Sequence, residues 1–238
     1  MQITVWNEYE GQTDNADVKA AYPETLHGAI AAAVAGKDAA VTTVTLDMPE
    51  QGLPDELLEK TDVLVWWGHA AHHKVSDELT EKIRKRVLRG MGIVFLHSAH
   101  HSKPFKSLMG TSCNLQWREA GERERLWKID PTHPIAAGIP ECTVIEHEEM
   151  YGEPFDIPTP DETVFLGWFR GGNVFRSGVT YKRGRGKIFY FQPGHETHPT
   201  FRQPEVARIL RNATRWAYNP EIAPEYPACP NPAPLESI

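Results

Sequence analysis

The sequence predicts an α/β fold with a mostly parallel central sheet, and two observations predict it. Short, almost wholly apolar runs at residues 2–6 (QITVW), 62–67 (DVLVWW) and 92–96 (GIVFL) suit strands buried on both faces. Helical patterns lie between them, so strand, helix and strand alternate up to about residue 110, the order that builds a sheet with right-handed crossovers.

Each element follows from its own residues. Residues 2–6 form the first strand. After a polar loop rich in Asn, Asp and Gly, Pro23 and Glu24 open an Ala-rich helix to about Val34. Residues 41–46 are β-branched except for Leu46 and read as a strand, 55–60 as a short helix and 62–67 as a buried strand. Ser76 caps a helix with Asp77 and Glu78 in its first turn and Leu79, Ile83 and Val87 on its core stripe, and Gly90 ends it. Residues 92–96 are the next strand, and a helix from His97 to Met109 is limited or kinked by Pro104.

The second half reads differently. Residues 122–130, 143–149, 163–169, 175–182 and 187–192 are strands separated by turns such as DPTHP, IPTPDE and RGGN. They extend the same sheet or form a small antiparallel annex. Pro204 opens a last helix whose Val206, Ile209, Leu210, Ala213 and Trp216 fall at helical spacing, so it covers the sheet. Residues 1–218 are therefore expected to form one domain, and the Pro-rich residues 219–238 an extended or disordered arm.

Composition narrows the function. Lys and Arg total 25 against 32 Asp and Glu, a net charge of −7, and no basic run tracks a phosphate backbone, so nucleic acid is not an expected partner. No apolar run approaches the ~18 residues of a membrane span, and the first residues lack the basic start of an export signal. Three cysteines without CxxC spacing argue against a disulfide framework and fit a reducing cytoplasm. The aromatic surplus and the Pro-rich arm, either of which could cover a neighbour, point to a homo-oligomer.

Eleven histidines cluster at strand ends. DVLVWWGHAAHH places His69, His72 and His73 after one buried strand, and GIVFLHSAHH repeats the H-x-x-H-H spacing with His97, His100 and His101 after another. KIFYFQ runs into PGHETH, which carries His195, Glu196 and His198. Ligands of open α/β sheets bind beyond the carboxyl ends of the strands, so topology brings these residues together. Neutral imidazole is the commonest metal ligand, and carboxylates complete such sites. A divalent metal, zinc foremost, is therefore expected on His69, His97 and His195, each of which directly follows its strand or lies a tight turn from it.

The other candidates are ranked around that trio. Glu149 or Glu196 would be the general base and Tyr151 a donor to a sugar oxygen, while Glu8, Trp67, His100 and His147 are assigned to the substrate. HETH is not the H-E-x-x-H zinc-protease helix, because its second histidine comes one position early. His133 reads as a turn residue and His27 as a structural helix residue. Trp66 and Trp168 read as core. A nucleophile elbow at FLHSAHHS would have to use Ser98 without flanking glycines, and no cysteine follows a buried strand there.

Together ITVWNEYE, WWGHAAHH, GIVFLHSAHHS, HEEMYGEP and FYFQPGHETHP, in that order, resemble the ThuA-like, trehalose-utilisation family over about residues 2–217. That family is similar in fold to class I glutamine amidotransferases. The resemblance implies a flavodoxin-like three-layer sandwich, a cytoplasmic setting and a link to disaccharide or keto-sugar metabolism. Amidotransferases of this fold carry an elbow cysteine and a His-Glu pair near the end of the domain. His195 and Glu196 match the pair, whereas His97 and Ser98 stand at the elbow, so glutaminase chemistry is not expected. The resemblance leaves two functions: a metal-dependent enzyme acting on a small sugar, or a non-catalytic sugar-binding or regulatory protein.

Overall fold

The computed structural model describes residues 1–225 and 229–237. The first half delivers the expected alternation: β1 (Gln2–Asn7), α1 (Ala16–Ala21), α2 (Leu26–Val34), β2 (Ala40–Thr45), α3 (Asp55–Lys60), β3 (Val63–Trp67), α4 (Asp77–Arg89), β4 (Gly92–Leu96) and α5 (Lys103–Met109). Then come β5 (Gln116–Lys128), β6 (Cys142–Gly152), β7 (Glu162–Phe169), β8 (Val174–Arg183), β9 (Gly186–Phe191) and α6 (Pro204–Ala217).

Local chemistry sets the boundaries. Ser76 accepts from the Leu79 amide and Gly90 closes α4, as expected. The polar loop before Pro23 holds a helix the periodicity does not reveal, α1, which exists because Asn15 accepts from the amides of Asp17 and Val18. Thr25, rather than Pro23, starts α2 by accepting from the Gly28 amide. Pro104 does not kink a long helix: residues 97–101 form a 3-10 turn, Ser102 caps α5, and Pro104 sits in its first turn, where a missing N–H costs nothing.

The nine described strands form one sheet in the order β2-β1-β3-β4-β9-β8-β7-β5-β6. This corrects the expectation of a mostly parallel sheet. Pairings from β2 to β9 are parallel, those from β9 to β6 are antiparallel, and the antiparallel half carries the longer strands, up to 13 residues in β5. Short turns link β7, β8 and β9, and only crossovers longer than these allow parallel neighbours. The second half is thus an extension of the sheet, not a separate annex.

Two cores flank the parallel half and make it a three-layer sandwich. On one face Val5, Val65, Val94 and Phe189 pack against α2 and α6, and on the other Leu64, Ile93, Phe95 and Ile188 pack against α4 and α5. Trp66 is core as expected, stacked on Trp6 with ring centroids 3.6 Å apart. Trp168 is not: it lies on the outward side of β7 and is 52% exposed. In the arm, Ala223 exchanges hydrogen bonds with Arg89 and Ile222 packs on the core, whereas residues 229–237 are exposed. Residues 226–228 and 238 of the expected arm lie outside the described residues.

Candidate metal and sugar site

Three strand ends converge as topology requires. His69 follows β3, His97 follows β4 directly, and His195 lies beyond β9, with ring centroids 5.8, 5.1 and 5.3 Å apart for the pairs 69–97, 69–195 and 97–195. Glu149 comes from β6, the far edge of the sheet, because the long β5–β6 hairpin curls back over those strand ends. Irregular register near Glu122 and Glu148 aids the curl, as bulges beside active sites do. One donor atom from each of His69, His97, His195 and Glu149 lies within 4.8 Å of all the others.

His97 is held in an unusual backbone state. Its φ of 54° places it in the left-handed region that a non-glycine residue rarely adopts. The strained elbow between β4 and the following turn is therefore occupied by His97, not by Ser98, and its ring is fully buried. Strain of this kind, of order 1–3 kcal/mol, persists where the surroundings over-determine it.

Each imidazole has one nitrogen tied by the protein. His69 Nδ1 meets both oxygens of Glu196 at 2.8 and 2.9 Å, His97 Nδ1 donates to the Gln192 carbonyl at 3.0 Å, and His195 Nδ1 bonds the Thr197 hydroxyl at 2.8 Å and accepts from the Thr197 amide at 3.3 Å. Inside the cluster His97 Nε2 and Glu149 Oε2 lie 3.0 Å apart, yet neither has a well-aligned hydrogen bond.

Charge follows this packing. Burial pulls His97 down, but Glu149, with Glu148 and Glu196 beyond, outweighs it and carries His97 up to about 9. Burial lowers His195 to about 4, helped by His97. Glu149 is pushed up by burial and pulled further down by His97, ending below the usual carboxylate range. Glu196 resists burial through its bond to His69 and falls to about 2.

Two buried carboxylates hold the loops that carry the histidines. Glu148 accepts from the amides of Gly194 and His195 at 2.8 and 3.0 Å and from the Thr200 hydroxyl at 2.9 Å. Gly194 is required in that turn: its φ is 134° and a Cβ would stand 2.2 Å from the Phe201 ring. Glu8 accepts from the amides of Ala70 and Ala71 at 2.6 and 3.1 Å.

The same geometry places the other candidate residues. Glu8 is 3% exposed and spends its oxygens on the loop that presents His69. Trp67 is buried beneath the site and donates to the Gly194 carbonyl at 3.0 Å. His147 is exposed on β6, bonded to the Gly121 carbonyl, with its ring 6.3 Å from that of His198. Glu196 orients His69 and is a poor base, and Glu149 stands among the donor atoms. Tyr151 bonds Ser98 Oγ at 2.6 Å and lines the pocket, as does His100. His27, in α2, bonds Asn7 at 3.1 Å. His133 caps a 3-10 turn by accepting from the Ile135 amide.

Beside the cluster opens a cavity of about 370 Å³, lined among others by His72, Ser98, His101, Asn114 and Trp117. Sequence reasoning missed Glu119, which lies 3.7 Å from His195 and 3.5 Å from His198 and forms a second donor group with them. It also missed Gln192 and Thr197, whose roles are to hold rings. An exposed stretch of β5 carries no pattern that singles out Glu119; the position of Gln192 at a buried strand's end was the available signal.

The family model described as trehalose utilisation, ThuA, matches residues 2–217. The chain belongs to the ThuA family. Its fold is shared with a ThuA-like protein from Bacteroides uniformis (TM-score 0.65, 14% identity, 91% of each chain covered). A ThuA-like protein from Parabacteroides merdae aligns at TM-score 0.62 and 15% identity, over 95% of this chain and 93% of that one. A glutamine amidotransferase from Thermotoga maritima aligns at TM-score 0.51 and 11% identity, over 90% of this chain and 96% of that one. Among curated proteins none matches the sequence. This ThuA-family chain thus has the amidotransferase-like fold with an imidazole at the elbow.

Proposed function

We propose that this chain is a cytoplasmic, metal-dependent enzyme acting on a sugar or keto-sugar, with a divalent cation held by His69, His97, His195 and Glu149. One observation carries the reading: four donor atoms, on His69, His97, His195 and Glu149, converge within 4.8 Å of one another. The ties from Glu196 to His69 and from Gln192 to His97 are what metal-bound imidazoles need to hold their orientation. Three nitrogens and one carboxylate suit zinc, with manganese and nickel as the next choices.

When bound, the cation would act as a Lewis acid toward a carbonyl or a water. The chain's own residues do the rest. Tyr151, fixed by Ser98, presents its hydroxyl to a substrate oxygen in the cavity. Glu196 keeps His69 turned inward. No thiol stands at the elbow, and burial raises Cys113 so that it stays protonated, which leaves glutaminase chemistry without a nucleophile.

The test is elemental analysis of untagged protein, with melting temperature measured with and without chelator. About one cation per chain is expected, and chelator should lower the melting temperature because a ligand of the folded state alone stabilises it. His97→Ala and His195→Ala should abolish that effect, and His27→Ala should keep it. Protein that takes up no zinc, manganese or nickel yet binds sugar would be a sugar-binding member of the family instead.

A further inference from the structure

The repeated H-x-x-H-H spacing sends its histidines to two places. The first of each set, His69 and His97, joins the cation cluster. The later ones, His72, His100 and His101, line the cavity beside it. Among the described residues these three do not gather their nitrogens into a donor group, so that wall is not a second metal site.

Its hydrogen bonds fix what it offers. His100 Nδ1 lies 2.8 Å from the Cys113 carbonyl, which only accepts, so Nδ1 carries the proton and Nε2 is left as an acceptor. Nε2 has no protein partner and is not sealed from the cavity. His101 Nε2 bonds Asn114 Oδ1 at 3.0 Å, so both side chains are pre-oriented. Burial, reinforced by neighbouring imidazoles, holds His100 well below its ordinary value and His72 near 3, so the wall is uncharged at neutral pH.

The lip carries the other half of the evidence. Trp117, at the start of β5, is 67% exposed, an indole presented to solvent beside a polar cavity. A flat aromatic face suits the C–H face of a sugar ring, while fixed acceptors suit its hydroxyls. Among the described residues no Lys or Arg lines the cavity, and Glu149 does. In the metal-free protein an anionic group would find no lysine or arginine there and would meet the Glu149 carboxylate.

We propose that His100, His101 and Trp117 form a subsite for an unphosphorylated sugar ring, holding the part of the substrate that does not react. The proposal rests on the sugar-enzyme reading, since His69 and Glu149 of the cation cluster line the same cavity. Its test uses metal-free protein, so that the two readings fail separately. Trehalose and trehalose 6-phosphate are titrated into chelator-treated protein, followed by tryptophan fluorescence and calorimetry.

Trehalose should bind saturably, and the phosphate at least tenfold more weakly. Trp117→Ala, an exposed position whose change leaves the core intact, should weaken trehalose at least tenfold, as should His100→Phe. Equal binding of the phosphate, an unchanged dissociation constant in Trp117→Ala, or no binding of trehalose to the parent protein each overturns the subsite. Metal uptake is scored independently by elemental analysis: uptake without trehalose binding sinks the subsite alone, and trehalose binding without uptake sinks the metal reading alone.

Discussion

Glu124 shows how far a single side chain can be driven by its surroundings. It is fully buried, with Ser177 donating to one oxygen at 2.8 Å and the other oxygen unpartnered. Burial, with Glu148 nearby, raises its pKa to about 8. A raised acid stabilises the fold while it is protonated, fully below its unfolded pKa near 4.5, and the contribution is lost as pH rises through about 8. Between those limits stability should fall by about 1.4 kcal/mol per pH unit from this group. Glu124→Gln, neutral and of the same shape, should therefore be more stable than the parent at pH 8.5 and indistinguishable from it at pH 4.5. Urea denaturation at both values measures this, and an equal difference at the two pH values would discard it.

At the scale of elements, the strand ends were legible and the curl was not. A buried run followed at once by histidine marks β3 and β4, because a strand's carboxyl end is where this class of sheet places ligands. Which histidine of His72–His73 faces inward, and that Glu8 and Trp67 bond the loops, depends on backbone amides and carbonyls that no side-chain pattern announces. Nor does the sequence reveal that an edge strand, β6, reaches the site, since that follows from register slips in a long hairpin. These same strands expose their purpose in a test. Glu148→Gln removes a charged acceptor from three donors of the 194–200 turn and should cost about 1–3 kcal/mol. Hydrogen exchange should quicken in residues 194–198 while β3 and β4 stay protected; unchanged exchange there would mean that Glu148 does not hold the turn.

For the whole molecule, the sheet order decides what can come apart. β9, made late in the chain, pairs with β4, and α6 lies across strands of both halves. Separating the chain near residue 115 would break that parallel pairing and strip α6 from Val65 and Val94, leaving two open sheet edges and an exposed core. The arm is different in kind. Ala223 is still tied to Arg89, but residues 229–237 are exposed and have neither helix nor strand. We therefore propose one cooperative domain that continues past residue 218 to about Ala223. Subtilisin at low ratio should trim the chain beyond that point and leave one resistant fragment, since cleavage needs backbone that can be pulled free of its hydrogen bonds. Mass spectrometry locates the cuts: a first cut at residues 110–120 giving two stable halves would refute the single domain, and a first cut at Asn219 would show that the contact of Ala223 with Arg89 does not hold.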